Sequence, residues 1–203
     1  MCWFVWEGIA LILAIIQARM TSQRLPGKVL KEIAGKPMLQ HVVDAAMAAE
    51  TIDGVVVATS TMGSDLPILE YCYHNDIETY TGPLDDVLER FYRTAKFYGA
   101  SYIVRLTGDC PLVTGDVIDR VVKLHLAADF DYTKNAVDGY DVEVFSYDNL
   151  TKAAKLATKP EDREHVCLFF QNGTFDWVDC FIPENIVGKY SVDTAEDFER
   201  IRG

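Results

Sequence analysis

Nothing polar interrupts Ile9–Ile16 (IALILAII), and at Gln17 the run gives way to a loop carrying Arg19, Arg24 and Lys28. A short, wholly aliphatic segment of this kind reads as a strand buried on both faces, which requires a sheet covered by helices on either side. The following residues supply those partners. Val55–Thr59 and Ser101–Leu106 are further compact strands. Between them lie Pro37–Ala49, Asp65–His74 and Leu84–Tyr98, each with apolar side chains near helical spacing. In the last, Val87, Leu88, Phe91, Ala95 and Tyr98 share a face. Thr114–Ala128 is another helix, with Val117, Ile118, Val121, Val122 and Leu124 inward and Thr114 or Asp116 at its start. Such alternation predicts an α/β fold with a mostly parallel central sheet, whose ligands bind beyond the carboxyl ends of the strands. The Arg19 loop and Thr107–Pro111 both fall at such ends.

The second half changes character into a small α+β excursion: a strand at Tyr140–Phe145, helices at Asn149–Ala157 and Glu161–Phe170, strands at Phe175–Phe181 and Tyr190–Val192, and a closing helix at Ala195–Ile201. Without repeats or linkers, residues 1–203 read as one domain, with 1–8 an extension of no assigned role. Phe145, Tyr147, Phe169, Phe170, Trp177 and Phe181 look too numerous for one small sheet, which predicts a partner surface and an isologous homodimer.

Charge narrows the function. The formal net charge is -12, yet between Arg19 and Lys36 the cations Arg19, Arg24, Lys28, Lys31 and Lys36 face a single acid, Glu32. The acidic body disfavours nucleic acid and anionic membrane, and the cationic loop favours a compact polyphosphate. The opposing reading, a solvated charge run, fits poorly with a position directly after a buried strand. Neither G-x-G-x-x-G nor Walker spacing is present. Gly27, after Pro26, instead permits a tight turn beside Lys28. The N-terminal apolar stretch holds Glu7, lacks a basic lead and runs into the charged loop, so it does not read as a signal peptide. Five cysteines, none in a C-x-x-C pair, fit reduced thiols and a cytoplasmic location.

Two carboxylates stand out. Asp109, between Gly108 and Cys110-Pro111 after the third strand, is placed to hold a divalent cation such as Mg²⁺, and lies too far upstream to cap the helix at Thr114. Asp193 precedes Thr194 and the closing helix, where either residue could be an N-cap, and sequence alone does not connect it to Asp109. Asp141 and Glu143 alternate on one strand and so share a face. Arg163, Glu164 and His165 start a helix, and Arg163 could meet a substrate carboxylate bidentately. Asp141, Glu143, Arg163 and His165 are therefore the candidate acceptor contacts, with ordinary surface charge as the competing reading.

The order IIQARMTSQRLPGKVL, GKPML, VVVATS, GPLDDVLERFYRTA, VRLTGDCPL, DVEVFS, DREHV and SVDTAEDFERI resembles the cytidylyltransferases that make CMP-sialate and CMP-KDO, and among them the branch of spore-coat polysaccharide biosynthesis proteins. The resemblance runs from Ile12 to Ile201. It implies the Rossmann-like nucleotide-diphospho-sugar transferase fold and transfer of CMP from CTP to an acidic or modified sugar with release of pyrophosphate. It also implies that Arg19, Arg24 and Lys28 bind the triphosphate, that Ala18, Ser22, Gln23 and Thr107 lie against the nucleotide, and that the turn Ala58, Thr59, Ser60, Thr61 borders the cytosine. Asp109 and Asp193 would share Mg²⁺, and with Arg19 and Lys28 form the catalytic set. Competing readings are another base, a sugar-transferring enzyme of the same fold, or a regulatory nucleotide binder without turnover.

Overall fold

A computed structural model describes residues 10–135, 137–180 and 189–203. Strand β1 (Ile12–Gln17) lies at the heart of a seven-stranded sheet. It pairs in parallel with β4 (Gly54–Ser60) on one side and β6 (Tyr102–Thr107) on the other, with β5 (Thr79–Gly82) parallel to β4 at the edge. The remaining strands, β7 (Tyr132–Asn135), β8 (Val142–Ser146) and β9 (Trp177–Cys180), extend the sheet in the order β5-β4-β1-β6-β8-β7-β9. Only β8 runs antiparallel to its neighbours. The expected parallel architecture is present, and β2 (Glu32–Ile33) and β3 (Lys36–Pro37) form a separate small hairpin.

Side-chain alternation along β1 divides the core. Ala14 and Ile16 join Val57, Val104 and Leu106 beneath α1 (Met38–Ala48), α2 (Leu66–His74) and α4 (Gly115–Ala127). Leu13 and Ile15 point oppositely, with Val56 and Ile103, toward α3 (Val87–Tyr98) and α5 (Tyr147–Leu156). A period of two with both faces apolar is what makes the run unbroken. A third cluster, Leu25, Ile33, Met38, Val192 and Phe198, ties the loop after β1 to the closing helix α8 (Ala195–Arg202).

Three expectations are corrected. The helix expected over Glu161–Phe170 is two pieces, α6 (Pro160–His165) and α7 (Cys167–Phe170), broken at Val166 with φ 47°. Burial of the Val166 side chain in the α3–α5 cluster holds that conformation, which a β-branched residue otherwise avoids. Tyr190–Val192 is not a strand: the Val192 N–H donates to the Asp109 carbonyl (3.0 Å) and its side chain enters the third cluster. Of the aromatics expected at a partner surface, Phe145, Phe169 and Phe170 are core, whereas Tyr147 is half-buried and Trp177 exposed. Phe145 and Phe170 are fully buried and stack at 4.7 Å between ring centres, and Tyr132 and Phe175 lie against Phe170 at 5.1 and 4.8 Å. That packing withdraws Phe145, Phe169 and Phe170 from the aromatic argument for a homodimer; Phe181 lies outside the described residues. The four described cysteines are unpaired thiols. Among the described residues no helix is long and apolar enough to cross a membrane.

Candidate active site

Beyond the carboxyl ends of β1 and β6 opens a cavity of about 490 Å³, lined by Gln17, Ala18 and Arg19, by Ser22–Arg24, Lys28, Gly108 and Asp109, and by side chains from α3, α6 and the start of α8. The loop after β1 is folded tightly. Gly27 takes φ 69°, its N–H donates to the Met20 carbonyl at 2.9 Å, and the turn delivers Lys28 inward. Behind the loop sits Asp65, fully buried. It accepts from the Met20 N–H (2.8 Å), the Thr59 hydroxyl (3.1 Å), and the Ser60 N–H and hydroxyl (3.2 and 2.5 Å). One carboxylate therefore fastens the cationic loop to the end of β4.

Lys28 is the centre of the charge arrangement. Its Nζ lies 2.5 Å from Asp109 Oδ2 and 3.2 Å from Asp193 Oδ1, and donates to the Val192 carbonyl at 2.7 Å. Arg24 also reaches Asp193, at 3.0 Å, as does Lys189 at 3.3 Å. Burial disfavours the Asp193 charge, but Lys28, then Lys189 and Arg24, outweigh it and hold the carboxyl below its ordinary pKa. Capping belongs to its neighbour. The Thr194 hydroxyl accepts from the Asp197 N–H, and Asp197 accepts in return from the Thr194 N–H, a reciprocal pair that leaves the Asp193 carboxylate to the cavity. Sequence could not connect Asp109 with Asp193; the fold does so through one ammonium.

Other expected residues fall differently. Ala18, Arg19, Ser22 and Arg24 line the cavity, and Arg19 faces Glu164 of α6 at 3.7 Å. Ala58, Thr59 and Ser60 do not: all three are fully buried, and the two hydroxyls are committed to Asp65. The Thr107 hydroxyl is spent on the Cys110 thiol at 2.9 Å, away from the lining. Asp141 precedes β8 rather than alternating within it and approaches the same thiol at 3.3 Å; burial raises its pKa and, more strongly, that of Cys110. Glu143 is sequestered by Arg105, which also donates to Gln17 at 3.2 Å. Burial opposes the Arg105 charge, and Glu143 opposite it more than compensates. Arg163 is spent structurally: it pairs with Asp86 at 2.7 Å and donates to the Ala154 and Ala157 carbonyls, closing the end of α5. Of the four expected acceptor contacts, only His165 lines the cavity, beside Glu164. Sequence reasoning missed Asp65, Arg105 and Arg90. Arg90 carried a signal, a cation three residues after Val87 on the apolar stripe of α3.

Comparison with known proteins agrees with this geometry. The cytidylyltransferase family model matches residues 13–201. Over 203 residues the chain is 32% identical to the spore coat polysaccharide biosynthesis protein SpsF of Bacillus subtilis, covering 94% of this chain and 85% of that protein. It is similar to the structure of a cytidylyltransferase from Leptospira borgpetersenii at a TM-score of 0.89 and 28% identity, over 96% of this chain and 86% of that one. The fold also matches CMP:2-keto-3-deoxy-manno-octonic acid synthetase, solved with CTP, at a TM-score of 0.75 and 19% identity, over 95% and 97% of the two chains. The family match spans every residue of the charged centre, from Arg19 to Asp193, and the chain belongs to the cytidylyltransferase family of enzymes.

Proposed function

We propose that the chain transfers CMP from CTP to an acidic sugar, releasing pyrophosphate, with Mg²⁺ as cofactor. The carrying observation is the Lys28 ammonium seated between Asp109 and Asp193 at the mouth of the central strands, with Arg19 and Arg24 beside it. Two carboxylates that already converge on one cation are a hard-oxygen donor pair. No cluster of three or more His, Cys, Asp or Glu suited to a metal occurs among the described residues. That sparse set fits Mg²⁺, which takes one or two carboxylates and completes its shell with phosphate oxygens and water. Asp109 and Asp193 would hold the ion, which would supply Lewis-acid stabilisation of phosphate charge.

The chain's own residues do the rest. Lys28, Arg19 and Arg24 offer charge-assisted donors to the triphosphate and stabilise the departing pyrophosphate. Ser22 and Gln23 lie where the nucleotide meets the loop. The acceptor hydroxyl attacks the α-phosphorus in line from the wall carrying Glu164 and His165, and catalysis is positioning and charge stabilisation. The test is thermal shift against the four nucleoside triphosphates with and without Mg²⁺, followed by pyrophosphate release over a panel of acidic and neutral sugars. CTP with Mg²⁺ should stabilise most, and release should require an acidic sugar. Equal shifts with all four nucleotides would overturn the assignment of the base.

A further inference from the structure

Three cations reach Asp193, and they divide its two oxygens. Arg24 and Lys28, both in the cavity lining, take Oδ1 at 3.0 and 3.2 Å. Lys189, which is outside that lining, takes Oδ2 at 3.3 Å. The first two are already assigned to the triphosphate. Lys189 has no such task, yet it grips the far oxygen of a carboxylate that faces the cavity.

What holds Lys189 is Asp197. Its Oδ2 accepts from the Lys189 ammonium at 2.8 Å and from the Asp193 N–H at 3.1 Å. These contacts close a ring, from the Asp193 main chain to Asp197, from Asp197 to Lys189, and from Lys189 back to the Asp193 carboxylate. Asp197 is itself fixed. It is buried in the first turn of α8, the same oxygen accepts from the Thr194 N–H at 3.1 Å, and Arg200 holds Oδ1 at 3.0 Å. Capping α8 needs only the Thr194 pair, so the contacts to the Asp193 N–H and to Lys189 exceed that need. Nor do they read as stability devices. The side chains of Lys189 and Arg200 are 37% and 47% exposed, and ion pairs so open to water contribute little. An aspartate carboxylate on its own swivels over a broad range; gripped at one oxygen and at its own N–H, it presents the other oxygen in one direction.

We propose that Lys189 and Asp197 are positioning residues for the reaction, which together orient Asp193 so that its Oδ1 is presented to the cavity; the assignment rests on the CMP-transfer reading above. The experiment titrates Mn²⁺, in place of Mg²⁺, into the CTP-saturated protein and follows the free ion by electron paramagnetic resonance, against a control of CTP alone. Coulomb's law by itself makes Lys189→Met bind the ion more tightly, because a positive charge has left the neighbourhood of a ligand. Orientation gives the opposite sign, a loss of roughly tenfold or more, the usual cost of removing a group that steadies a metal-binding side chain. Lys189→Arg should regain part of that loss, and the urea midpoint of Lys189→Met should stay close to wild type. Asp197→Asn keeps an oxygen for the Asp193 and Thr194 N–H groups but loses its hold on Lys189, and should weaken Mn²⁺ comparably. Because both changes open one ring, the double variant should lose about as much as either alone. In each variant the Mg²⁺ concentration for half-maximal pyrophosphate release should rise in step. Unchanged or tighter Mn²⁺ binding in Lys189→Met overturns the proposal, as does a double variant whose loss is the product of the two single losses. Should Lys189→Met not fold, Lys189→Gln is judged by the same sign. Either overturning result, with a clear Mn²⁺ site in the wild type, removes the ring and leaves the CMP-transfer reading standing. A wild type that holds no Mn²⁺ beyond the control overturns the two-carboxylate metal site, and the proposal with it.

Discussion

Replacing Asp65 by alanine should damage the protein in two separable ways. The carboxylate is fully buried and accepts four hydrogen bonds, from the Met20 N–H, the Ser60 N–H, and the Thr59 and Ser60 hydroxyls. The hydroxyls can rotate toward other acceptors, but the two main-chain N–H groups cannot. Each orphaned group costs about 1–3 kcal/mol, giving a loss of about 2–6 kcal/mol. That is a large share of the roughly 5–15 kcal/mol that holds a domain together. At about 2–4 °C per kcal/mol for a chain of this size, a mid-range loss of ~4 kcal/mol lowers the melting temperature by roughly 8–16 °C. Asp65→Asn keeps one acceptor oxygen and should fall between alanine and wild type. The functional effect follows from Met20, the residue after Arg19. With its tether to β4 gone, the loop loses its fixed register and CTP should bind more weakly, even well below the new melting point. Urea denaturation followed by circular dichroism measures the first effect, and nucleotide titration at low temperature the second. A stability change under about 1 kcal/mol in Asp65→Ala, with CTP affinity intact, would refute the reasoning, since those N–H groups would then have other acceptors.

Asp109→Asn and Asp193→Asn should each fold and lose most turnover, read by pyrophosphate release. Because Thr194 is the cap, a near-normal rate in Asp193→Asn would rule out its role at the charged centre. Thr194→Ala should lose about 1 kcal/mol of stability in a urea titration through the broken capping box. The protein should also weaken between pH 6.5 and 4 because of His125, whose pKa burial depresses from 6.5 to about 4 against the opposing charge of Asp131. The unfolded chain then takes up a proton that the folded one refuses, so stability is complete above pH 6.5 and falls by about 3 kcal/mol as the pH drops to 4. His125→Gln, which can still bond the Thr133 hydroxyl, should flatten the urea midpoint across that window; an unchanged slope would exclude His125 as its origin.

Sequence exposed the elements whose burial is written in composition. β1 is apolar on both faces, and β4 and β6 largely so, because helices cover both faces of the sheet. β5 and β7 escaped notice because their residues, Thr79-Tyr80-Thr81-Gly82 and Tyr132-Thr133-Lys134-Asn135, are polar in type yet lie in the same sheet. In β7 the buried Thr133 and Asn135 are satisfied individually: Thr133 meets His125, and Asn135 bridges the Tyr140 carbonyl and the Val142 N–H. The site was legible where charge accumulated locally, at Arg19, Arg24 and Lys28, and at Asp109 beside a strand end. The fate of the expected acceptor contacts was not, since Arg163 and Glu143 look free in sequence and meet Asp86 and Arg105 only through the fold.

Lys28 and Asp193 stand 165 residues apart in sequence. A ribosome delivers the cationic loop well before its counter-charge, which follows only after every described strand of the sheet has emerged. A nascent chain halted beyond Cys180 but short of Val192 would possess the whole described sheet. It would still leave Leu25, Ile33 and Met38 without Val192 and Phe198 to cover them, and Lys28 with only Asp109 to answer it. Translation products cut short in that interval are therefore expected to hold the described sheet and do nothing, so that synthesis must pass Asp193 before the enzyme can act.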